Sequence, residues 1–199
     1  MTHVEPNHDA VKWHQVNLTT SATDAELNHV LEYYADWEPE SFQWSCLARD
    51  LKRLTGALIL VLSEYCPAKM SLVTRSIEGI PQKLEAVIHQ LGHPMVGHEW
   101  VLAEGVYEEL NKVQLHRLDS IHEASSYHIP EFIGFTIEKM LGIGSIYSMG
   151  FLHDNQLLGN FVLAMPKGHE LVSERQIMLF SQGVGRVLAH AGMDRSNES

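Results

Sequence analysis

Thirteen histidines, two cysteines and several paired acids are the side chains in this 199-residue chain that could do chemistry. His93 and His98 stand either side of Pro94-Met95-Val96-Gly97, and His122 and His128 flank a second short segment. Neutral imidazole is a common ligand of zinc and iron. Neither spacing matches a compact zinc pattern such as His-Glu-x-x-His or paired Cys-x-x-Cys. Scattered surface histidines are the simpler reading, with a haem or metal site kept as an alternative. Glu108-Glu109 and Glu38 with Glu40 are paired carboxylates, yet general acid–base work needs one of them held at a raised pKa. Their setting in turns or an exposed helix points to solvated charge. Ser63, Ser71 and Ser148 lack the Gly-x-Ser-x-Gly setting of a hydrolase nucleophile. Gly142-Ile143-Gly144 precedes a strand and does not open a helix, so it is no dinucleotide phosphate cradle. No catalytic residue is assigned, no metal site is assigned, and an enzyme is not expected.

The whole chain narrows the classes further. Its length suits one domain with ample core, or one domain with a helical extension. A net charge of −11 argues against a nucleic-acid partner, which would need a basic stripe. The longest apolar run, Ala57 to Leu62, is strand-sized, so no membrane partner is expected. The start, Met1-Thr2-His3-Val4-Glu5-Pro6, carries no export signal. Cys46 and Cys66 make no disulfide framework, and a cytoplasmic location is the expectation.

These residues need elements to position them. Residues 1–22 are polar and are expected to be a flexible segment, with the folded domain over 23–195. Thr23-Asp24 signals a helix with Leu27, Val30, Leu31 and Tyr34 on one face. Ser41 is expected to cap a second helix with a stripe of Phe42, Cys46, Leu47 and Leu51 or Leu54, ended by Gly56. Ala57–Tyr65 and Met70–Ile77 read as a strand pair around Cys66-Pro67-Ala68-Lys69. Ile80–Gly92 reads as a helix with Pro81 in its first turn. Met95–Leu102 suits a short strand, Glu104–Gln114 leans helical, and Leu115–Ile121 is an edge strand or an extended loop. A helix runs from Ile129 or Pro130 to Leu141. Gly144–Leu152 and Leu157–Met165 are strands joined at Asp154-Asn155, since both residues tolerate the positive φ of a tight hairpin. Ser173-Glu174-Arg175-Gln176 opens a long closing helix. So many hairpins predict an α+β fold: an antiparallel sheet of about five or six strands with helices on both faces.

Over Glu26 to Ala191 this pattern resembles a GAF domain, a small-molecule sensory module, of the type that precedes histidine-kinase cores. The Gly142-Ile143-Gly144-Ser145-Ile146-Tyr147 segment, the Gln156-Leu157-Leu158-Gly159 strand start and the Ser173-Glu174-Arg175-Gln176 helix start carry the resemblance. It implies a non-catalytic signal-transduction domain, an unidentified small-molecule ligand, terminal helices paired behind the sheet in a homodimer, and a fused or separate histidine kinase or other output domain. It also implies a pocket between sheet and middle helices. Its walls would come from Tyr65, Met70 and Leu72, from His98 and Trp100, from Phe132, Phe135 and Thr136, and from Tyr147 and Met149. Trp100, Tyr147 and His98 are preferred because each joins a polar handle to an apolar body.

Several signatures of the family are missing. Asn111-Lys112-Val113 lacks the Phe-Asp-Glu continuation of cyclic-nucleotide binders. Two cysteines are too few for the three-cysteine methionine sulfoxide reductases of this fold, and neither has the adjacent His of bilin-attaching members. The cofactor is left unknown. In the closing helix Ile177, Phe180, Val184, Val187 and Leu188 have helical spacing, as a sheet cover, a dimer seam, or both. Gly183 and Gly185 each lower helix propensity by roughly 1 kcal/mol and are expected to admit another helix closely. Two other readings stay open: a structural dimerisation module with a filled core, and a haem- or metal-based redox or gas sensor.

Overall fold

Each long strand of this protein carries apolar side chains at both odd and even positions, so both faces of its sheet must be covered. The computed structural model describes residues 14–15, 43–169 and 174–197. The helix expected from Thr23 and the proposed Ser41 cap lie outside the described residues. The strands are β1 (His14–Gln15), β2 (Ile59–Cys66), β3 (Ser71–Gly79), β4 (Glu99–Val101), β5 (His116–Leu118), β6 (Ile143–His153) and β7 (Gln156–Pro166). The helices are α1 (Trp44–Thr55), α2 (Pro81–Leu91), α3 (Val106–Leu110), α4 (Ile121–Ala124), α5 (Glu131–Leu141) and α6 (Glu174–Asn197). One sheet results, in the order β1-β5-β6-β7-β2-β3-β4, with every neighbouring pair antiparallel. The α+β class holds. Among the described residues the sheet has six strands of three residues or more, within the expected five or six, and β1 adds a two-residue edge beside β5.

The central hairpin forms as its turn chemistry dictates. Asp154 (φ 48°) and Asn155 (φ 60°) both take the left-handed conformation, and His153 pairs with Gln156 across them. Gly56 closes α1 with φ 68° and donates its N–H to Lys52 O at 2.9 Å. In β3 one extra residue, Arg75, bulges out between Ser76, which pairs with Leu62, and Thr74, which pairs with Ser63. Odd and even positions exchange faces there, so Leu72 and Ile77 point the same way.

Two layers cover the sheet. Behind it, Leu47, Ala48 and Leu51 of α1 meet Ile177 and Val184 of α6 over Leu60, Leu62, Tyr147, Met149, Phe161 and Leu163. The N-terminal and C-terminal helices among the described residues therefore share one core on one side. In front, α2, α4 and α5 pack on Ile59, Ile146 and Ala164 through Val87, Ile121 and Ile137.

Gly185 of α6 does something other than expected. A Cβ on Gly185 would overlap Leu152 O of β6, so this glycine seats the helix on the strand and does not receive another helix. Four residues earlier, Ser181 Oγ donates to Gly150 O at 2.8 Å. Among the described residues, no helix is long and apolar enough to cross a membrane.

Candidate functional site

A cavity of about 100 Å³ lies on the front face, between the sheet and the helices that roof it. Period-two alternation supplies its floor: Ile59, Val61 and Ser63 from β2, Asn160, Val162 and Ala164 from β7, and Ile143 and Ile146 from β6. Helix faces supply the roof, with Val87 and Leu91 of α2, Ile121 of α4 and Ile137 of α5. Ser125, Ser126 and Ile129 close it from the loop after α4. Every residue of this lining is uncharged, and its side-chain polarity is confined to three serines, Asn160 and the Trp100 ring N–H. Such a site accommodates apolar, neutral matter, since an unpaired charge carried in from water would be costly.

Trp100 forms one end. It is 8 % exposed, lines the cavity, and donates Nε1–H to the Thr74 hydroxyl at 2.9 Å. His98 packs on it at a tilt of 59° with ring centroids 4.3 Å apart, and His93 stacks on His98 at 4.1 Å. His128 meets Trp100 edge-on at 6.0 Å and bonds Val101 O through Nε2 at 2.8 Å. Burial lowers the pKa of His98, and the neighbouring His93 and His128 lower it further, which favours the neutral ring. Face-to-face rings do not aim their nitrogens at one point. Among the described residues no group of three His, Cys, Asp or Glu side chains is placed to hold a metal.

Cross-strand register gives the floor a polar row. Gly150 pairs with Asn160, Asn160 with Ser63, and Ser63 with Thr74, whose hydroxyl Trp100 holds. Asn160 is 4 % exposed; its Nδ2 donates to Ser148 Oγ at 3.4 Å, while its Oδ1 has no hydrogen-bond partner. At one side of this row His116 is almost fully buried, with Nε2 bonded to Glu109 O at 3.1 Å and Glu109 Oε2 3.9 Å from Nδ1. Desolvation lowers the His116 pKa, against the opposing pull of the Glu109 carboxylate. Glu109 itself pairs with Lys112 at 2.6 Å.

The ten wall residues expected from the sequence are divided by this geometry. Trp100 lines the cavity, and His98 packs on Trp100 without lining it. Tyr65 is half-buried and meets Tyr107, ring centroids 5.5 Å apart, outside the lining. Tyr147 and Met149 belong to the opposite face: they alternate with Ile146 and Ser148 and pack in the core under α1 and α6. Phe132 is 72 % exposed, Phe135 64 % exposed, and Thr136 is exposed with its hydroxyl donating to Phe132 O. Helix α5 buries Gly134, Ile137 and Leu141, which turns those three residues outward. Of the other wall residues, Leu72 lines the cavity and Met70 is exposed. Asn160 and Ser63 were not anticipated. An amide inside the apolar run Leu157–Met165 was the available signal, because a buried polar group demands a partner.

No family model matches the chain, and no curated protein matches it either. Solved structures do. The GAF domain of an Acinetobacter phosphoenolpyruvate-protein phosphotransferase superposes with a TM-score of 0.57 at 14 % identity, covering 87 % of this chain and 96 % of that one. The chromophore-binding domain of a Stigmatella aurantiaca bacteriophytochrome gives 0.57 at 12 % identity, over 89 % of this chain and 68 % of that one. The GAF domain of the cyanobacteriochrome TePixJ gives 0.53 at 13 % identity, over 79 % and 97 %. At such identities the likeness speaks for architecture, and with the antiparallel sheet, its roofed front and its helix-backed rear it leads to one conclusion: the chain has a GAF-like fold.

Proposed function

We propose that this chain is a non-catalytic sensory and regulatory module that takes a small molecule into the front-face cavity and reports it through its terminal helices. One observation carries the reading. Asn160 on the cavity floor pairs across the sheet with Gly150, and Gly150 O accepts the Ser181 hydroxyl of α6 at 2.8 Å on the other face. A ligand that favours one setting of the β6–β7 hairpin thereby favours one seating of α6. The shift it produces equals its difference in affinity for the two settings. The receiver in this proposal is a homodimer seam continued from the terminal helices, feeding a fused or separate histidine kinase or another output domain.

The reading has a size limit. A cavity of about 100 Å³ falls below the roughly 300–1,000 Å³ of sites for drug-sized ligands. The lining offers no cation to an acidic ligand. The same volume favours a second reading, a dimerisation module whose pocket has closed around its own side chains. Thermal melts against pooled metabolites, with sedimentation in parallel, separate the two. A rise in Tm with a pool supports the sensor. No rise with any pool, no copurified molecule and a stable dimer support the structural module and contradict the sensor.

A further inference from the structure

Resting on the reading of this cavity as a ligand site, we propose that its ligand is a small, uncharged, largely apolar molecule with one oxygen acceptor, to which the Ser63 hydroxyl donates. Strand alternation turns Ser63 to the front with Ile59 and Val61, while Leu60 and Leu62 between them pack in the rear core. Ser63 is 5 % exposed, and on the cavity floor that remaining surface faces the cavity. Asn160 Oδ1 is sealed beneath the floor, whereas Ser63 Oγ, equally unpaired among the described residues, stays open to the cavity. The other buried polar groups of the lining are engaged. Ser125 Oγ donates to His122 O at 2.8 Å and accepts the Ile129 N–H at 3.0 Å. Trp100 Nε1–H is held by the Thr74 hydroxyl, and Asn160 Nδ2 by Ser148 Oγ. None of these turns to a ligand without breaking a bond it already has, which leaves Ser63 to orient one.

Among buried backbone groups orphaned donors are rarer than under-used acceptors, and the same order applied to this hydroxyl makes its proton the group to be matched. A buried donor without an acceptor is disfavoured, and a ligand that supplies the acceptor removes that cost. The rest of the lining restricts what surrounds the acceptor. Ile59, Val61, Ile146, Val162 and Ala164 present hydrocarbon, and no charged side chain of the lining is there to hold an ionised group. That chemistry fits a small ketone or ether and disfavours an acid, an amine or a sugar. A volume of about 100 Å³ compares with roughly 30 Å³ per water molecule, which sets the scale at a single small ring or a short branched chain.

The test uses isosteric pairs that differ only in the acceptor: cyclopentanone against methylenecyclopentane, and cyclohexanone against methylenecyclohexane. Their affinities for the full chain are measured by ligand-observed NMR, with Ser63→Ala beside the wild type. The alkene of each pair reports the fit of the ring alone, so the readout is the ratio of ketone to alkene affinity. That ratio should fall about five- to tenfold in Ser63→Ala while the alkenes still bind. The infrared C=O stretch of the bound ketone gives a second readout. In the wild type it should lie below its value in hexane, and in Ser63→Ala it should return to that value. An unchanged affinity ratio, or a shifted stretch that survives in Ser63→Ala, overturns the role of Ser63 yet leaves the cavity a ligand site. Binding of no member overturns this inference, and the thermal melts with metabolite pools then judge the sensory reading separately. Should Ser63→Ala fail to fold, the wild type alone decides, because a bound ketone with its hexane stretch is sufficient to refute the proposal.

Discussion

At the residue scale the front face is organised by polar groups that have been withdrawn from water. His116 gives a measurable consequence. Desolvation holds its pKa below the ordinary value of about 6.5, so the unfolded chain takes up a proton before the folded one does. The stabilisation from burying a neutral ring is therefore complete above about pH 6.5 and is lost progressively as pH falls from there toward the depressed folded pKa. His116→Gln keeps a donor for Glu109 O and cannot titrate. Urea midpoints at about pH 7.5 and about pH 5 should fall further apart for the wild type than for the variant, and an equal acid loss in both would refute this assignment. Trp100→Phe should cost about 1–3 kcal/mol in the same assay, because the fully buried Thr74 hydroxyl loses its donor. Trp100 was legible in the sequence because it alternates with its neighbours in a short strand. Tyr147 and Met149 were misplaced for the opposite reason: β6 is buried on both faces from Ile146 to Phe151, so alternation cannot say which face is the pocket.

The element scale was largely open to sequence reasoning where caps and turns have distinctive chemistry. Asp154-Asn155, Gly56, Gly92 and Gly142 mark their turn and helix ends where they were expected, each at positive φ. Helix α5 was found, but its useful face was not, since Phe132 and Phe135 are as apolar as the Ile137 and Leu141 that actually pack inward. The bulge at Arg75 has no sequence mark of its own, and it decides which residues of β3 reach the cavity. Gly185 shows how a correct element can be given the wrong neighbour. In an unconstrained helix Gly→Ala stabilises by roughly 1 kcal/mol. Here the added methyl would meet Leu152 O, so Gly185→Ala should instead destabilise by about 1–3 kcal/mol in denaturant unfolding. A stabilised variant would mean that α6 is not seated on β6.

Across the whole molecule the same two strands serve both layers. Ile146, Asn160 and Val162 face the cavity, while Tyr147, Phe161 and Leu163 face the helices behind, so the front and rear cores are opposite sides of one hairpin. In the proposed function, that arrangement is the route from a molecule in the cavity to α6. In that same proposal a small molecule enters on the Val162 side of the sheet. Val162→Phe places a ring in the cavity and leaves the rear core in place. The direct measurement is the melting temperature of wild type and Val162→Phe, side by side, with the metabolite pool that stabilises the wild type. At a ligand concentration about 100 times its Kd the wild type should gain about 5–10 °C and Val162→Phe should gain nothing. An equal gain in both proteins, or no gain in the wild type with any pool, would contradict the account.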